Sequence, residues 1–263
     1  MATIPAKLKT RLGKETRAFR KILLRAKDHD VNESDTVTIV TDMLERVFGY
    51  DKYAEVTREV AIKNMYCDLA VKVDGNLEYL VEVKAIGLDL KENHLRQAAN
   101  YGANQGVPWV VLTNGIEWQL YKVIFERPIG LDHLCTFDFT ELNPRSGEDL
   151  DKLFLLCKSG MKKHAMEAFH DRVQSVNRYV IGAIISSDAM IHRIRRELRR
   201  IAPGLKIQDS EVRSIISDGV LKREIQIGEK ADKARARVRK AANKKIRKVS
   251  NKPAKSTGVA DNS

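Results

Sequence analysis

At 263 residues and 43% hydrophobic, the chain can bury one substantial core or two small ones. Charged residues make up 31%, and no apolar run approaches the ~18 residues of a membrane span, so no membrane partner is expected. The start lacks the pattern of a secretory signal. Cys67, Cys135 and Cys157 are scattered without a CxxC, which argues against a disulfide scaffold or zinc finger and for a reducing cytoplasmic setting. The net charge of +12 is uneven: residues 1–30 hold nine Lys/Arg against three acids, and 220–263 hold fourteen against four. The body between is mildly acidic. Basic ends of this kind condense on polyanions, which makes nucleic acid the leading partner class; solubility is the plainer reading.

Residues 6–27 read as a basic helix with apolar residues at Leu8/Leu12 and Phe19/Leu23. Val37, Val40, Met43/Leu44 and Val47/Phe48 form the stripe of a second helix, stopped by Gly49. Strands are expected at Val56–Ile62, Tyr66–Val73 and Leu77–Lys84, the last two joined through Asp74-Gly75-Asn76. A polar helix from about Leu90 to Gln105 follows, then a strand pair, Trp109–Thr113 and Glu117–Ile124, around Asn114-Gly115, and a last strand at Thr136–Phe139.

Beyond about Gly147 the pattern becomes helical. Phe169, Val173, Val176 and Val180 follow one helical stripe, and Ile191, Ile194, Leu198 and Ile201 another, ended by Pro203-Gly204. A third helix runs from Ser210 to about Val220. Glu229–Val249 is Ala/Lys/Arg-rich with almost nothing to bury, and 250–263 reads as disordered. The expected segments are therefore a basic N-terminal helix (1–30), an α/β domain (31–145), a helical region (146–222) and a basic tail (223–263).

The hairpin carries the chemistry. With Val73 and Leu77 flanking a three-residue turn, Asp68 lies opposite Glu82, and Lys84 shares their face. Two like charges opposed on paired strands are destabilising unless something sits between them, and a divalent cation suits two carboxylates. Mg²⁺ there, or Mn²⁺, would acidify a water and stabilise charge on phosphate, with Lys84 orienting the nucleophile. The plainer reading is a charged edge hairpin whose Glu82/Lys84 pair is worth little. Against it stand Gln97 and Tyr101, spaced i,i+4 on the next helix, and apolar flanks that give the hairpin a buried face.

In Asp68, Glu82-Val83-Lys84, Gln97-Ala98-Ala99-Asn100-Tyr101 and Trp109-Val110-Val111-Leu112-Thr113-Asn114-Gly115, with Trp118 and Tyr121 following, the sequence resembles the PD-(D/E)XK nuclease superfamily. Within it, residues 30–125 resemble the N-terminal nuclease domain of the type I restriction enzyme R subunit. The resemblance implies a restriction-endonuclease-like α/β fold, a mixed sheet flanked by helices, with an α-helical C-terminal region. It implies Asp68, Glu82 and the Val83 carbonyl as metal ligands, and Lys84 as the residue that positions the attacking water. Gln97 and Tyr101 would line the site. An acidic residue from the first domain helix is matched best by Glu33, then Glu45. Cys67 replaces the superfamily's proline; its side chain is expected on the face opposite Asp68, in the core. No G-x-x-x-x-G-K-[ST] occurs, so neither ATP nor a motor is expected, and a stand-alone nuclease-domain protein is.

For DNA contacts the candidates are Arg193, Arg196 and Arg200, within an arginine-rich helix, and Lys244, Lys245, Arg247 and Lys248 in the tail. The helices of 165–220 fit a helix-turn-helix unit or a homodimer interface equally. Histidines without HExxH spacing and the lack of G-x-S-x-G argue against a zinc site and an acyl hydrolase. Two functions follow: a Mg²⁺-dependent deoxyribonuclease of restriction, defence or repair, or a catalytically inactive nuclease-fold module that binds nucleic acid through its basic ends.

Overall fold

Alternating apolar strands around two turn signals place the centre of the molecule in a sheet. The computed structural model describes residues 3–62, 65–126 and 128–250, without the side chains of 59–62, 65, 66 and 244–250. Six strands, β1 (Val56–Ile62), β2 (Met65–Val73), β3 (Asn76–Val83), β4 (Trp109–Thr113), β5 (Glu117–Ile124) and β6 (Gly130–Asp138), lie side by side in sequence order. All pairings are antiparallel except β3 with β4, which are parallel and joined across helix α3 (Arg96–Gln105). The protein is thus an α/β protein with a mixed sheet. The last strand is longer than its apolar end suggests, because its first half, Gly130–Leu134, carries the weaker alternating pattern.

Each sheet face has its own core. Leu69, Val71, Tyr79, Val81, Val83, Trp109, Val111 and Trp118 face α1 (Ala6–Asp28), α2 (Glu33–Met43, continued by a π-turn to Phe48), α4 (Gly147–Leu156), α5 (Lys158–Met161) and α6 (Ala165–Ser175). On the other face Ala70, Leu80, Val110, Leu112 and Val123 pack under α3. β4 is buried along its whole length, as a strand covered on both faces must be. Trp118 is fully buried and Tyr121 nearly so, which makes both core residues.

Helix α1 is a layer of this core. Leu12, Phe19 and Leu23 are buried to within 1%, and Glu15 is buried with them. Arg46 bonds Glu15 at 2.8 Å and lies 4.9 Å over the Phe19 ring, which ties α1 to the π-turn after α2.

The chain divides into two compact units, 1–171 and 172–263. In the second unit the single helix expected across Phe169–Val180 is two: α6 ends at Ser175, and Asn177 caps α7 (Arg178–Ile185) by accepting from the Tyr179 and Val180 amides. Val173 and Val176 are accordingly exposed. Four helices, not three, therefore cover 165–220. Ile191 of α8 (Asp188–Ile201) joins Val212 and Ile216 of α9 (Asp209–Ile215, with a π-turn to Val220) and Ile207 in a small core. After the short α10 (Arg223–Gln226), α11 (Glu229–Ser250) buries Ala231 and Ala234 and packs along α7, so its first turns do have something to bury. No helix among the described residues is long and apolar enough to cross a membrane.

Because Phe19 is 1% exposed, Phe19→Ala should lower the unfolding free energy of the first unit by about 3–5 kcal/mol in urea titration. An α1 that served only as a basic arm would show no loss.

Candidate functional site

The site lies at the C-terminal end of β3, where the strand has an antiparallel neighbour on one side and a parallel one on the other. Its geometry depends on register. The β2–β3 turn is tighter than a three-residue loop: Val73 pairs with Asn76, and Asp74 and Gly75 adopt φ of 50° and 85°. This is the left-handed pair of a type I′ turn. A bulge then inserts Glu78, shifting the pairs from Lys72–Leu77 to Val71–Tyr79 and onward to Leu69–Val81. Continued one step further, that register sets Asp68 opposite Glu82.

Asp68 is half-buried, and its Oδ2 accepts the Val83 backbone N–H at 2.7 Å. Glu82 is 7% exposed; its Oε1 lies 2.9 Å from Lys84 Nζ, while its Oε2 is buried without a hydrogen-bond partner. Burial first, and the Asp68 charge second, push the Glu82 carboxyl up to about 7. Burial works against the charge on Lys84, but Glu82, Glu33 and Asp68 together outweigh it and hold the ammonium above its ordinary range. Lys84 is therefore protonated at neutral pH in this arrangement.

Lys84 Nζ also lies 3.4 Å from Glu33 Oε2. Glu33 is the first residue of α2, whose start is set by Asn32 accepting the Asp35 N–H. Glu45 is engaged elsewhere, 3.0 Å from Lys52. On the far side, the Lys84 N–H donates to the Thr113 carbonyl at the end of β4. Asn114, read from sequence only as a turn residue, accepts the Ile116 and Glu117 amides and donates to the Leu88 carbonyl at 3.0 Å. That last bond fastens the segment just after Lys84, and turn chemistry alone does not announce it.

The α3 residues separate. Tyr101 is 2% exposed in the α3-side core, its phenol raised by burial and by Cys67, whereas Gln97 is exposed. Cys67 is buried in the core as expected, but on the other face: it packs with Ala70, Leu80 and Tyr101 under α3. Its Sγ donates to the Val81 carbonyl at 3.3 Å, and burial, with Glu82 and Asp68, keeps the thiol protonated. That suits a packing residue and not a nucleophile.

In the second unit Arg193 and Arg200 share Glu197, at 2.9 and 2.7 Å, while Arg196 is exposed without an ion pair among the described residues. Lys244, Lys245, Arg247 and Lys248 fall in α11, with side chains outside the described residues.

Could this cluster hold a cation? Among the described residues no three His, Cys, Asp or Glu side chains gather as a metal-binding group. The donor set is smaller: two opposed carboxylates, one with a buried unpartnered oxygen, and that orphan fits a divalent ion with few protein oxygens and several waters.

A mixed α/β sheet with an acidic pair and a lysine at the end of a parallel-paired strand defines the class of architecture. Residues 39–128 match the family model of the type I restriction enzyme R protein N terminus (HSDR_N), and over that third of the chain the protein resembles the R subunit's N-terminal domain. The matched segment contains Asp68, Glu82, Lys84, Gln97 and Tyr101. Comparison with curated proteins and with solved structures returns no match.

The Glu82 carboxyl, at about 7 against an ordinary 4.5, takes up a proton on folding between those values. Stability from this group is thus retained at low pH and lost as pH rises toward 7, where Lys84 relieves burial of the charge only in part. In EDTA, Glu82→Gln should raise Tm at pH 8 and leave it nearly unchanged at pH 5. An equal shift at both pH values would refute the buried, repelled carboxylate.

Proposed function

We propose that the chain hydrolyses DNA phosphodiester bonds with the help of Mg²⁺, or Mn²⁺, at the Asp68–Glu82–Lys84 cluster, in a restriction, defence or repair process. The observation that carries this reading is the opposed carboxylate pair beside a lysine ammonium, with Glu82 Oε2 buried and unpartnered. The match to the N terminus of a restriction enzyme subunit supports the nuclease class.

Asp68 and Glu82 are the residues that would hold the cation. Val83 adds to them, since its N–H already points at Asp68 and its carbonyl lies along the same strand edge. When bound, such a cation supplies charge stabilisation at the phosphoryl group and lowers the pKa of water. The chain's own residues do the rest. Lys84, held as an ammonium, is a donor and not a base: it orients a water oxygen and offsets negative charge at the scissile phosphate. Glu33 keeps that ammonium at the strand end. Glu82, raised by burial and by Asp68 as long as no cation is bound, is a carboxylate whose unfavourable charge a cation would relieve. The buried Tyr101 acts through packing, as a wall behind β2 and β3, and the exposed Gln97 is left to face substrate.

Purified protein with supercoiled plasmid in Mg²⁺, Mn²⁺ or EDTA tests the reading. Cutting should require the metal, and Asp68→Asn and Lys84→Ala should each slow it by about 100-fold or more. Intact plasmid in every metal, with a salt-sensitive gel shift that Lys84→Ala leaves unchanged, would instead support an inactive nuclease fold that binds nucleic acid.

A further inference from the structure

Away from the carboxylates, the first unit carries a groove of about 660 Å³ between α1 and the turn that leads into α4. One wall is a stripe of α1 on which Lys9, Gly13, Arg17 and Arg20 recur at spacings of three or four; the other is the segment from Leu142 to Arg145. Gly13 leaves the floor open, since a Cβ there would meet only Pro144 Cβ, at 3.8 Å. Arg20 is fixed in the wall: its Nη2 donates to the Leu142 carbonyl at 2.6 Å, and its Nε is buried without a partner.

The charge in this groove is uncompensated. Lys9, Arg17, Arg20 and Arg145 face a single acidic residue in the lining, Glu141, and none of the four has an ion pair among the described residues. Some arginines elsewhere are answered, Arg46 by Glu15, Arg213 by Asp188, Arg193 and Arg200 by Glu197, while Arg196 is unpaired among the described residues but stands outside this lining. Four cations gathered around one acid repel one another, a cost that a bound anion reduces.

We infer that this groove takes the phosphodiester backbone of a nucleic acid. The identity of the anion rests on the nuclease reading; the unpaired charge does not. Length favours a chain of phosphates over one small anion. Lys9 to Arg20 covers eleven helical steps, about 16 Å, long enough to meet more than one phosphate of a chain. The helix also leads to the candidate site. Three residues beyond Arg20, Leu23 Cδ2 lies 3.0 Å from where a Gly115 Cβ would be, in the turn whose Thr113 carbonyl holds the Lys84 N–H.

The test is fluorescence anisotropy of a labelled duplex of about 20 base pairs, titrated in EDTA over a salt series. Arg17→Ala and Arg145→Ala should each weaken binding about tenfold and lower the salt slope by about one. Gly13→Glu, which puts an acid on the open floor, should weaken it at least as much. Lys14→Ala removes the same charge from an exposed position on α1 outside the groove and should change binding less than about twofold. Groove variants that bind like wild type, or a Lys14→Ala loss equal to theirs, would overturn the assignment. Since no cleavage is measured, a failure of the Lys84-dependent plasmid assay leaves this result standing. Normal duplex binding by the groove variants beside intact cutting would sink the groove alone.

Discussion

The bond from the Val83 amide to the Asp68 carboxylate, at 2.7 Å, is the constraint on which the site depends. The described ladder between β2 and β3 reaches Leu69 and Val81 and goes no further, so Val83 has no strand partner for its β2-facing N–H. A buried amide without an acceptor is costly, and Asp68 supplies the acceptor. The bond holds one carboxylate against the strand end while the fold buries a second, Glu82, beside it. The lost hydration first, and their repulsion second, raise the Glu82 carboxyl, and Lys84 relieves only part of it. The folded chain thus keeps an arrangement that packing alone would not select.

That arrangement survives because two departures from simple hairpin geometry cancel. The Asp74-Gly75 turn is one residue shorter than a Val73/Leu77 closure, and taken alone it would slip the pairing by one. Because side chains alternate with period two, such a slip would put Asp68 and Glu82 on opposite faces. The Glu78 bulge restores the register before the strands reach the site. The opposition of the two carboxylates was therefore legible in the sequence from alternation and a turn signal, although the bulge was not. A bulge has no composition signature, whereas the demand that Leu69, Val71, Tyr79 and Val81 share one buried face is strong. The same alternation misplaced Cys67, which lies near the start of β2, where the described pairing with β3 has stopped.

The helices were less legible, for a different reason. A 3.6-residue stripe shows that an apolar face exists, not what it meets. Leu12, Phe19 and Leu23 read as a modest stripe on a basic helix, and only the sheet-side layer reveals them as core. Across Phe169–Val180 the apolar spacing runs through a real break, because Asn177 caps a new helix without interrupting the periodicity. At α11 the error ran the other way. Ala231 and Ala234 are too small to register as an apolar face, yet small residues are what a close approach to α7 requires. Charge was equally mute about pairing. Arg193 and Arg200 look like a basic surface until Glu197 is seen between them, while Arg17 and Arg145 lie far apart in sequence and gave no sign of sharing a groove.

The two charge clusters of the first unit have opposite sign, and that bears on the order in which they can act. At the strand end, Asp68, Glu82 and Glu33 surround a single ammonium, an excess of carboxylates over cations. In the α1 groove, three cations of the helix and Arg145 of the facing wall meet one acid. A polyanion is drawn to the second and repelled by the first. In the nuclease reading a phosphate therefore cannot approach Lys84 until that excess is neutralised. A divalent cation does so with one ion, where a monovalent one leaves the repulsion largely in place. In that reading the cation would be a condition for substrate approach as well as a participant in chemistry. The α1 groove, needing no metal to hold a phosphate chain, would retain the nucleic acid beside the site in the meantime.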